Sequence, residues 1–423
     1  MKVEILTTGN EIISGAVIDR NSAHIAAKLE EAGFSVMRHT CVGDNIEDLV
    51  LVLQEIGSRS DAALVTGGLG PTPDDLTAQA VATSAGVDLV LDQTALRGVE
   101  NYFKTRNRTM PDSNKKQAML PRGAKIILNP VGTAPGFMLK IDRCLFFFLP
   151  GVPFEMQRML SDTVLARLEK LRGDVCEYSM TRTISTFGLA ESATAERLTG
   201  ISGMFPEINF GFRAKFPEIQ IKLYGKGKNK EALHQYMDKA AAAIIEEMGD
   251  KVFSEDESSM EAVVGRLLLK ENATIAVAES CTGGLISHLL TNVPGSSNYF
   301  LFSGVTYSNE AKQKVLGVSS EILEHYGAVH ENTAKEMAAG VRQIAESDYG
   351  LAISGIAGPN GGTDEKPVGT VCIGVATRRS TQGFRFFFPF NSRGRNKKIF
   401  AMKALDILRR ELLLKAECLK FKK

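Results

Sequence analysis

Cysteine spacing of the kind that binds metal is absent from this 423-residue chain. Its six cysteines, Cys41, Cys144, Cys176, Cys281, Cys372 and Cys418, include no C-x-x-C pair, which excludes zinc-ribbon and dithiol redox chemistry. Buried free thiols in a reducing compartment are the expectation. Long apolar runs are scarce. The densest, residues 145–149, is far short of the roughly 20 residues needed to cross a bilayer. Met1-Lys2-Val3-Glu4-Ile5-Leu6-Thr7 enters a strand pattern directly, without the apolar stretch of a leader. A cytoplasmic protein without membrane contact is expected. An excess of one charge is missing too: 50 Lys and Arg face 49 Asp and Glu, a net charge of +1, which argues against a dedicated nucleic-acid binder. None of the six histidines lies in a triad-like motif. Repeats and low-complexity tracts are also lacking.

What is present is the length and rhythm of a multidomain α/β protein. Single cores stop growing at about 250–300 residues, so two or three domains are expected. Val3-Glu4-Ile5-Leu6, Ala62-Ala63-Leu64-Val65, Lys125-Ile126-Ile127-Leu128 and Cys144–Leu149 read as strands. Asn21 reads as the cap of a helix with Ile25, Ala26 and Leu29 on one face, ending at Gly33. This alternation predicts a parallel sheet with helices on both faces, over residues 1–171. From residue 172 to 253 the pattern changes. Thr181-Arg182-Thr183-Ile184-Ser185 and Glu218-Ile219-Gln220-Ile221-Lys222-Leu223 alternate polar and apolar, and Gly225-Lys226-Gly227-Lys228-Asn229-Lys230 follows as a charged loop. A small α+β insert is expected there. After a polar linker at residues 254–259, a second α/β unit spans 258–420. Ser258 with Glu261 and Thr333 with Glu336 read as capping boxes. Thr274-Ile275-Ala276-Val277-Ala278, Leu351-Ala352-Ile353-Ser354 and Val371-Cys372-Ile373-Gly374-Val375-Ala376 read as its strands, and Ile399, Met402, Leu405 and Leu408 mark a last helix.

The first chemical constellation is Gly67-Gly68-Leu69-Gly70-Pro71-Thr72-Pro73-Asp74-Asp75-Leu76-Thr77, where a strand leaves the sheet. Ligands of open α/β sheets bind at such strand ends, and glycines let backbone N–H groups approach a phosphate. Two adjacent carboxylates would repel an anion unless a divalent cation bridges them to it. The alternative is a tight turn with Asp74 or Asp75 as an N-cap. Gly67-Gly68-x-Gly70-x4-Asp75-x-Thr77, with Thr8-Gly9-Asn10-Glu11-Ile12-Ile13-x-Gly15-x3-Asp19-x-Asn21 and Pro150-Gly151-Val152-Pro153, resembles the molybdopterin-binding, MogA/MoeA-like fold. The longer strings through Pro71-Thr72-x-Asp74-Asp75 and Leu149-Pro150-Gly151-Val152-Pro153-x-Glu155-Met156 resemble the competence/damage-inducible CinA family. Asp74 stands where the cofactor-synthesis relatives typically carry arginine. The resemblance implies a metal-dependent ADP-ribose pyrophosphatase, with Gly67, Gly68, Gly70, Thr77 and Asn21 on the nucleotide and Asp74, Asp75 and Glu11 on a divalent cation of open identity. A molybdopterin-binding protein is the alternative.

The second constellation is Ala278-Glu279-Ser280-Cys281-Thr282-Gly283-Gly284, a strand-to-helix turn continued by Leu285-Ile286-Ser287-His288-Leu289-Leu290. A hydroxyl there faces the open sheet edge, and amides at the helix start are candidate oxyanion donors. With no histidine available, Tyr307-Ser308-Asn309-x2-Lys312 offers the base: a desolvated lysine takes a serine proton and a tyrosine orients it. Cys281 is the rival nucleophile. Val293-Pro294-Gly295-Ser296-Ser297 and Ser354-Gly355-Ile356-Ala357-Gly358-Pro359-x-Gly361-Gly362-Thr363 read as site walls suited to phosphate and ribose, or as simple turns. These strings, through Lys366-Pro367-Val368-Gly369-Thr370, resemble the C-terminal CinA domain and its stand-alone form, nicotinamide mononucleotide deamidase. The resemblance implies release of ammonia from the nicotinamide carboxamide, with Ser280 as nucleophile, Tyr307 and Lys312 assisting, and no cofactor. Thr282, Gly283, Gly284, Gly295, Ser296, Gly355, Gly358 and Arg395 are the expected substrate contacts. Ser392-Arg393-Gly394-Arg395-Asn396-Lys397-Lys398 replaces the family's frequent Gly-Asp-Arg string, which leaves the phosphate-binding arginine open between Arg393 and Arg395.

The expected architecture is therefore an α/β, MogA-like N-terminal domain, a KH-like α+β insert and an α/β deamidase domain. The expected partners are pyridine nucleotides and ADP-ribose. Homodimerisation through sheet edges is a further expectation. A non-catalytic binding role in DNA uptake or repair has only the basic residues of 225–230 and 393–398 and Lys420, Lys422 and Lys423 behind it.

Overall fold

The computed structural model describes residues 1–173 and 178–420, with 415–420 as helix backbone only. Cys176, the Cys418 side chain and the basic residues Lys420, Lys422 and Lys423 lie outside the described side chains. The chain packs into two compact units, Met1–Thr181 with Tyr224–Tyr236, and Arg182–Leu223 with Met237–Lys423.

The first unit holds a six-stranded sheet in the order Val36–Val42, Val3–Thr8, Ala62–Thr66, Cys144–Leu149, Gly136–Ile141, Lys125–Ile127. Alternate residues of its strands fill two cores. Val3, Ile5, Leu64 and Phe147 face one, and Leu6, Val65, Phe146 and Phe148 face the other. The first four strands are parallel, as expected; the two edge pairings, Cys144–Leu149 with Gly136–Ile141 and Gly136–Ile141 with Lys125–Ile127, are antiparallel. The cause is a turn of two residues, Asp142-Arg143, between the paired Ile141 and Cys144. A connection that short cannot make a parallel crossover. Asp142 takes the left-handed φ of 53° without any glycine to announce it.

Asn21 does not cap its helix. Asp19 does, accepting from the Ser22 amide at 2.9 Å, which releases Asn21 to tie Thr66 Oγ1 to the Gly151 carbonyl. The helix ends at Glu31, and Gly33 follows at φ 80°. The charged segment after Leu223 is not all loop: the strand runs on to Gly227 and a helix starts at Lys230. In the insert, strands Ile208–Lys215, Glu218–Gly227, Tyr178–Phe187 and Val252–Ser254 pair in that order.

The second unit holds a five-stranded sheet ordered Phe300–Val305, Ile275–Glu279, Tyr349–Gly355, Thr370–Ala376, Thr381–Phe387. The first three are parallel and the rest antiparallel. One face presents Ile275, Val277, Leu351 and Ile373 to a large core. The other is lined by Ala276, Ala278, Ala352 and Ala376, and there the helix Glu331–Ile344 packs closely. A Cβ at Gly350 or Gly374 would overlap the Ala338 or Ala334 carbonyl of that helix. Neither expected capping box forms. His330 caps Glu331–Ile344 through its ring nitrogen, while Thr333 Oγ1 donates to Gly327 O and Glu336 accepts from the Ser319 amide. Ser259 stands at the start of Met260–Lys270, because the Ser258 amide is already bonded to Asp256. Among the described residues no helix is long and apolar enough to cross a membrane.

Candidate functional site

In the second unit the strand Ile275–Glu279 ends at Ser280, and the chain turns through Gly283 and Gly284, at φ 60° and 92°, into the helix Leu285–Thr291. Left-handed φ at both positions is where glycine is needed. The hydroxyl of Ser280 lies 3.3 Å from Lys312 Nζ. Lys312 has no exposed surface, and its amine donates to the carbonyls of Thr306 at 2.9 Å and Tyr307 at 3.1 Å. Burial pushes its pKa below the ordinary 10.5. Two N–H groups spent on carbonyls leave the third tetrahedral position of the nitrogen facing Ser280. In the neutral amine that position is a lone pair, the arrangement a general base requires.

Cys281 is buried, and burial pushes its thiol up to about 12. A neutral thiol is a poor nucleophile. Cys144 and Cys372 are buried likewise, whereas Cys41 is exposed, unlike the buried thiols expected. Three of the helix-start amides, those of Gly284, Ile286 and Ser287, are not free for an oxyanion. The buried carboxylate of Glu279 accepts from the amides of Gly284, Ile286 and Ser287 at 3.0, 3.1 and 2.9 Å, placing a fixed anion at that terminus. The Thr282 hydroxyl is buried without a hydrogen-bond partner.

Tyr307 serves Lys312 through its carbonyl. Its ring is largely exposed, and its hydroxyl meets Arg393 Nη2 at 3.2 Å, while Arg393 Nη1 donates to Gly358 O at 2.8 Å. Arg393 thus joins the Tyr307 and Gly358 loops. Arg395 does not join them: its guanidinium stacks over Phe216 and Phe390, 4.6 and 5.0 Å from the ring centroids. Lys397, unmarked in the sequence, brings its amine within 3.5 Å of where a Gly283 Cβ would stand. Gly355 lies against Cys281 Sγ. Around Gly295 and Ser296 the Ser296 amide is spent on Val293 O, and the Gly295 carbonyl accepts from the Asn298 amide.

The first unit carries a cleft of about 790 Å³ at the carboxyl ends of its parallel strands, lined by Gly67, Gly68, Gly70, Asn21, Glu11, Asp74 and Asp75 among others. Thr77 Oγ1 donates to Gly67 O, so its role is to hold the glycine turn. Neither Asp74 nor Asp75 caps the helix Thr77–Ala85, which starts after Leu76; Asp75 instead accepts from the Thr72 amide at 2.8 Å. Asp44, which sequence patterns did not single out, completes an acidic wall. Its carboxyl is pushed up by burial and by the charges of Glu11, Asp74 and Asp75. No three acidic, His or Cys side chains among the described residues are gathered as a ready ligand set. The carboxylates are of the hard-oxygen type that a divalent cation prefers, and their mutual repulsion suits a cation between them. A cation in this cleft would have to draw its ligands from Glu11, Asp44, Asp74 and Asp75, which line it.

Three family models match in succession: "Probable molybdopterin binding domain" over residues 4–170, "Damage-inducible protein CinA KH domain" over 181–254 and "CinA C-terminal domain" over 257–412. A CinA-like protein of Desulfosudis oleivorans is 52% identical over 413 residues, covering 98% of this chain and 100% of that one. The chain belongs to the CinA family. A CinA-like protein of Desulforapulum autotrophicum is 47% identical over 418 residues, covering 98% of this chain and 99% of the relative. A solved structure described as competence/damage inducible protein CihA from Agrobacterium tumefaciens is 34% identical, with a TM-score of 0.34. It covers 36% of this chain and 94% of its own. Within the family architecture the acidic cleft belongs to the molybdopterin-binding-type domain and the Ser280–Lys312 pair to the CinA C-terminal domain.

Proposed function

We propose that the C-terminal domain hydrolyses the carboxamide of nicotinamide mononucleotide to nicotinate mononucleotide and ammonia. The observation that carries this reading is the Ser280 hydroxyl against a fully buried lysine amine that already donates to two carbonyls. Neutral Lys312 takes the Ser280 proton as Oγ attacks the amide carbon. The C–N bond breaks, and the same proton passes to the departing nitrogen, which leaves as ammonia. A water molecule then gives a proton to Lys312 and attacks the acyl-serine ester; the bond from the acyl carbon to Oγ breaks, Lys312 returns the proton to Ser280 Oγ, and the acid is released. Arg393 and Lys397 supply two cations beside this turn for the nucleotide phosphate. No cofactor is required by these steps.

For the N-terminal domain we propose hydrolysis of ADP-ribose, on the strength of the acidic wall of Glu11, Asp44, Asp74 and Asp75 in a cleft of about 790 Å³. A diphosphate enters such a wall only with a divalent cation, which neutralises phosphate charge and polarises the phosphoryl oxygens. The residues of the chain bind and orient: Asn21 spans Thr66 and Gly151, and the glycine turn at Gly67 and Gly68 packs closely against Thr8 and Thr77 at the floor of the cleft. A nucleic-acid role draws no support from Arg395, whose guanidinium stacks over Phe216 and Phe390. The deciding experiment incubates the protein with nicotinamide mononucleotide and with ADP-ribose, with and without Mg²⁺ or Mn²⁺, and identifies the products. Ammonia formed without metal supports the first activity, and AMP with ribose phosphate formed only with metal supports the second. Absence of either product removes the corresponding assignment.

A further inference from the structure

Glu279 directly precedes the nucleophile and is fully buried. Its two carboxylate oxygens take four donors: the amides of Gly284, Ile286 and Ser287, and Ser287 Oγ at 2.6 Å. Ser287 Oγ is in turn 2.5 Å from Ser303 Oγ on the neighbouring strand. The Glu279 backbone carbonyl accepts from the Thr306 amide at 2.9 Å, and the Thr306 carbonyl accepts from Lys312 Nζ at 2.9 Å. One residue therefore touches both halves of the pair. Its side chain closes the turn that carries Ser280, and its main chain fixes the segment whose carbonyls seat Lys312. A carboxylate is an acceptor at every lone pair, so it satisfies four converging donors where no other side chain of that length does.

We propose that Glu279 is a positioning residue, and that its carboxylate holds Ser280 Oγ in line with the Lys312 amine. The proposal rests on the serine–lysine assignment made above. With the turn closed from below, Ser280 cannot follow its backbone away from Lys312. With the carboxylate replaced by an amide, an NH2 group meets amide donors and the turn opens.

The test uses full-length Glu279→Gln, with Ser287→Ala as a milder variant that removes a single donor. Two readouts are taken, ammonia release from nicotinamide mononucleotide and the rate at which a fluorophosphonate labels Ser280, located by peptide mass. Thermal unfolding followed by circular dichroism monitors the fold. Glu279→Gln is expected to lower kcat and the labelling rate by about 100-fold, the cost of misplacing reacting atoms by around 1 Å, with KM nearly unchanged. Ser287→Ala is expected to lose about 5-fold in both, in the same direction. A labelling rate equal to wild type in folded Glu279→Gln overturns the proposal. If that variant does not fold, an unchanged rate in Ser287→Ala overturns it and a lowered rate supports it. Wild-type protein that is labelled at Ser280 yet releases no ammonia would refute the substrate assignment, while the labelling ratio still decides the role of Glu279. Wild-type protein with no labelling overturns the proposal, since no activated serine is then present to be positioned.

Discussion

A buried lysine amine with two carbonyl partners and no carboxylate counter-ion among the described residues is poised to lose its proton, and the pH dependence of the reaction should show it. Burial lowers the pKa of Lys312 from 10.5. The base works only when neutral, so kcat/KM for ammonia release is expected to rise with pH through a single ionisation centred below 10.5, and to be flat above it. Lys312→Arg should lose at least about 100-fold across the range, because a guanidinium does not deprotonate; a variant retaining wild-type rate removes Lys312 as the base. The neighbouring thiol gives a converse expectation. With its pKa at about 12, Cys281 is protonated at neutral pH. Cys281→Ala should keep kcat within about 3-fold, and iodoacetamide should leave the folded protein's Cys281 unmodified. Rapid alkylation with loss of activity would return the cysteine to contention. Ser280 and Lys312 were legible in the sequence because a small-residue turn after an apolar strand is a local pattern. Glu279, Asp44 and Lys397 were not, because their roles depend on which chain segments meet, and charged residues beside a turn look like ordinary solvated surface.

The helix Arg393–Lys420 begins beside the turn that carries the nucleophile, and its first turns carry two cations with different duties from those sequence patterns suggested. Arg393 reaches Gly358 O and the Tyr307 hydroxyl, and Lys397 lies over Gly283, while Arg395 is engaged by aromatic rings. Arg393→Ala and Lys397→Ala are each expected to raise KM for the mononucleotide about 10-fold or more, from the loss of a charge-assisted contact. Arg395→Ala should leave KM within about 2-fold. Steady-state kinetics on the three variants checks this, and equal effects at all three would mean the cations act as a diffuse field. A second element-level expectation concerns close packing. In the helix Glu331–Ile344 a Cβ at Gly340 would overlap the Leu316 carbonyl oxygen. Gly340→Ala should therefore destabilise by about 1–3 kcal/mol despite the better helix propensity of alanine, read by urea unfolding. Strands that are apolar runs, such as Cys144–Leu149, were legible in the sequence to within a few residues, since they have nowhere to go but a core; Val36–Val42, Gly136–Ile141, Phe300–Val305 and Thr381–Phe387 were not read from it. Cap residues and the antiparallel edge were not. Asp19 outcompetes Asn21 only because Thr7 and Ser22 also hold its carboxylate, and the hairpin at Asp142-Arg143 contains no glycine.

At the scale of the whole molecule, the two proposed activities fall to units with separate cores and sites of opposite electrostatic character. The cleft of the first unit presents carboxylates to its ligand, and a polyanion is repelled until a divalent cation intervenes. The turn of the second unit presents Arg393 and Lys397 and needs no such help. Chelation should therefore separate the activities: EDTA is expected to abolish ADP-ribose cleavage and leave ammonia release within about 2-fold. Asp75→Ala should reproduce the effect of EDTA, with a loss of about 100-fold or more in the first reaction, because the loss of one carboxylate leaves fewer oxygens for the cation. Ser280→Ala should do the reverse. Asp44→Asn makes the sharper test. Asp44 sits among Glu11, Asp74 and Asp75, which together with burial raise its pKa. If those carboxylates serve a cation, removing the charge should weaken metal activation, seen as a several-fold higher Mg²⁺ concentration for half-maximal rate. If they serve no cation, the same change relieves repulsion, and anion binding should tighten without metal. The sign of the change in metal dependence therefore decides what the acidic wall is for.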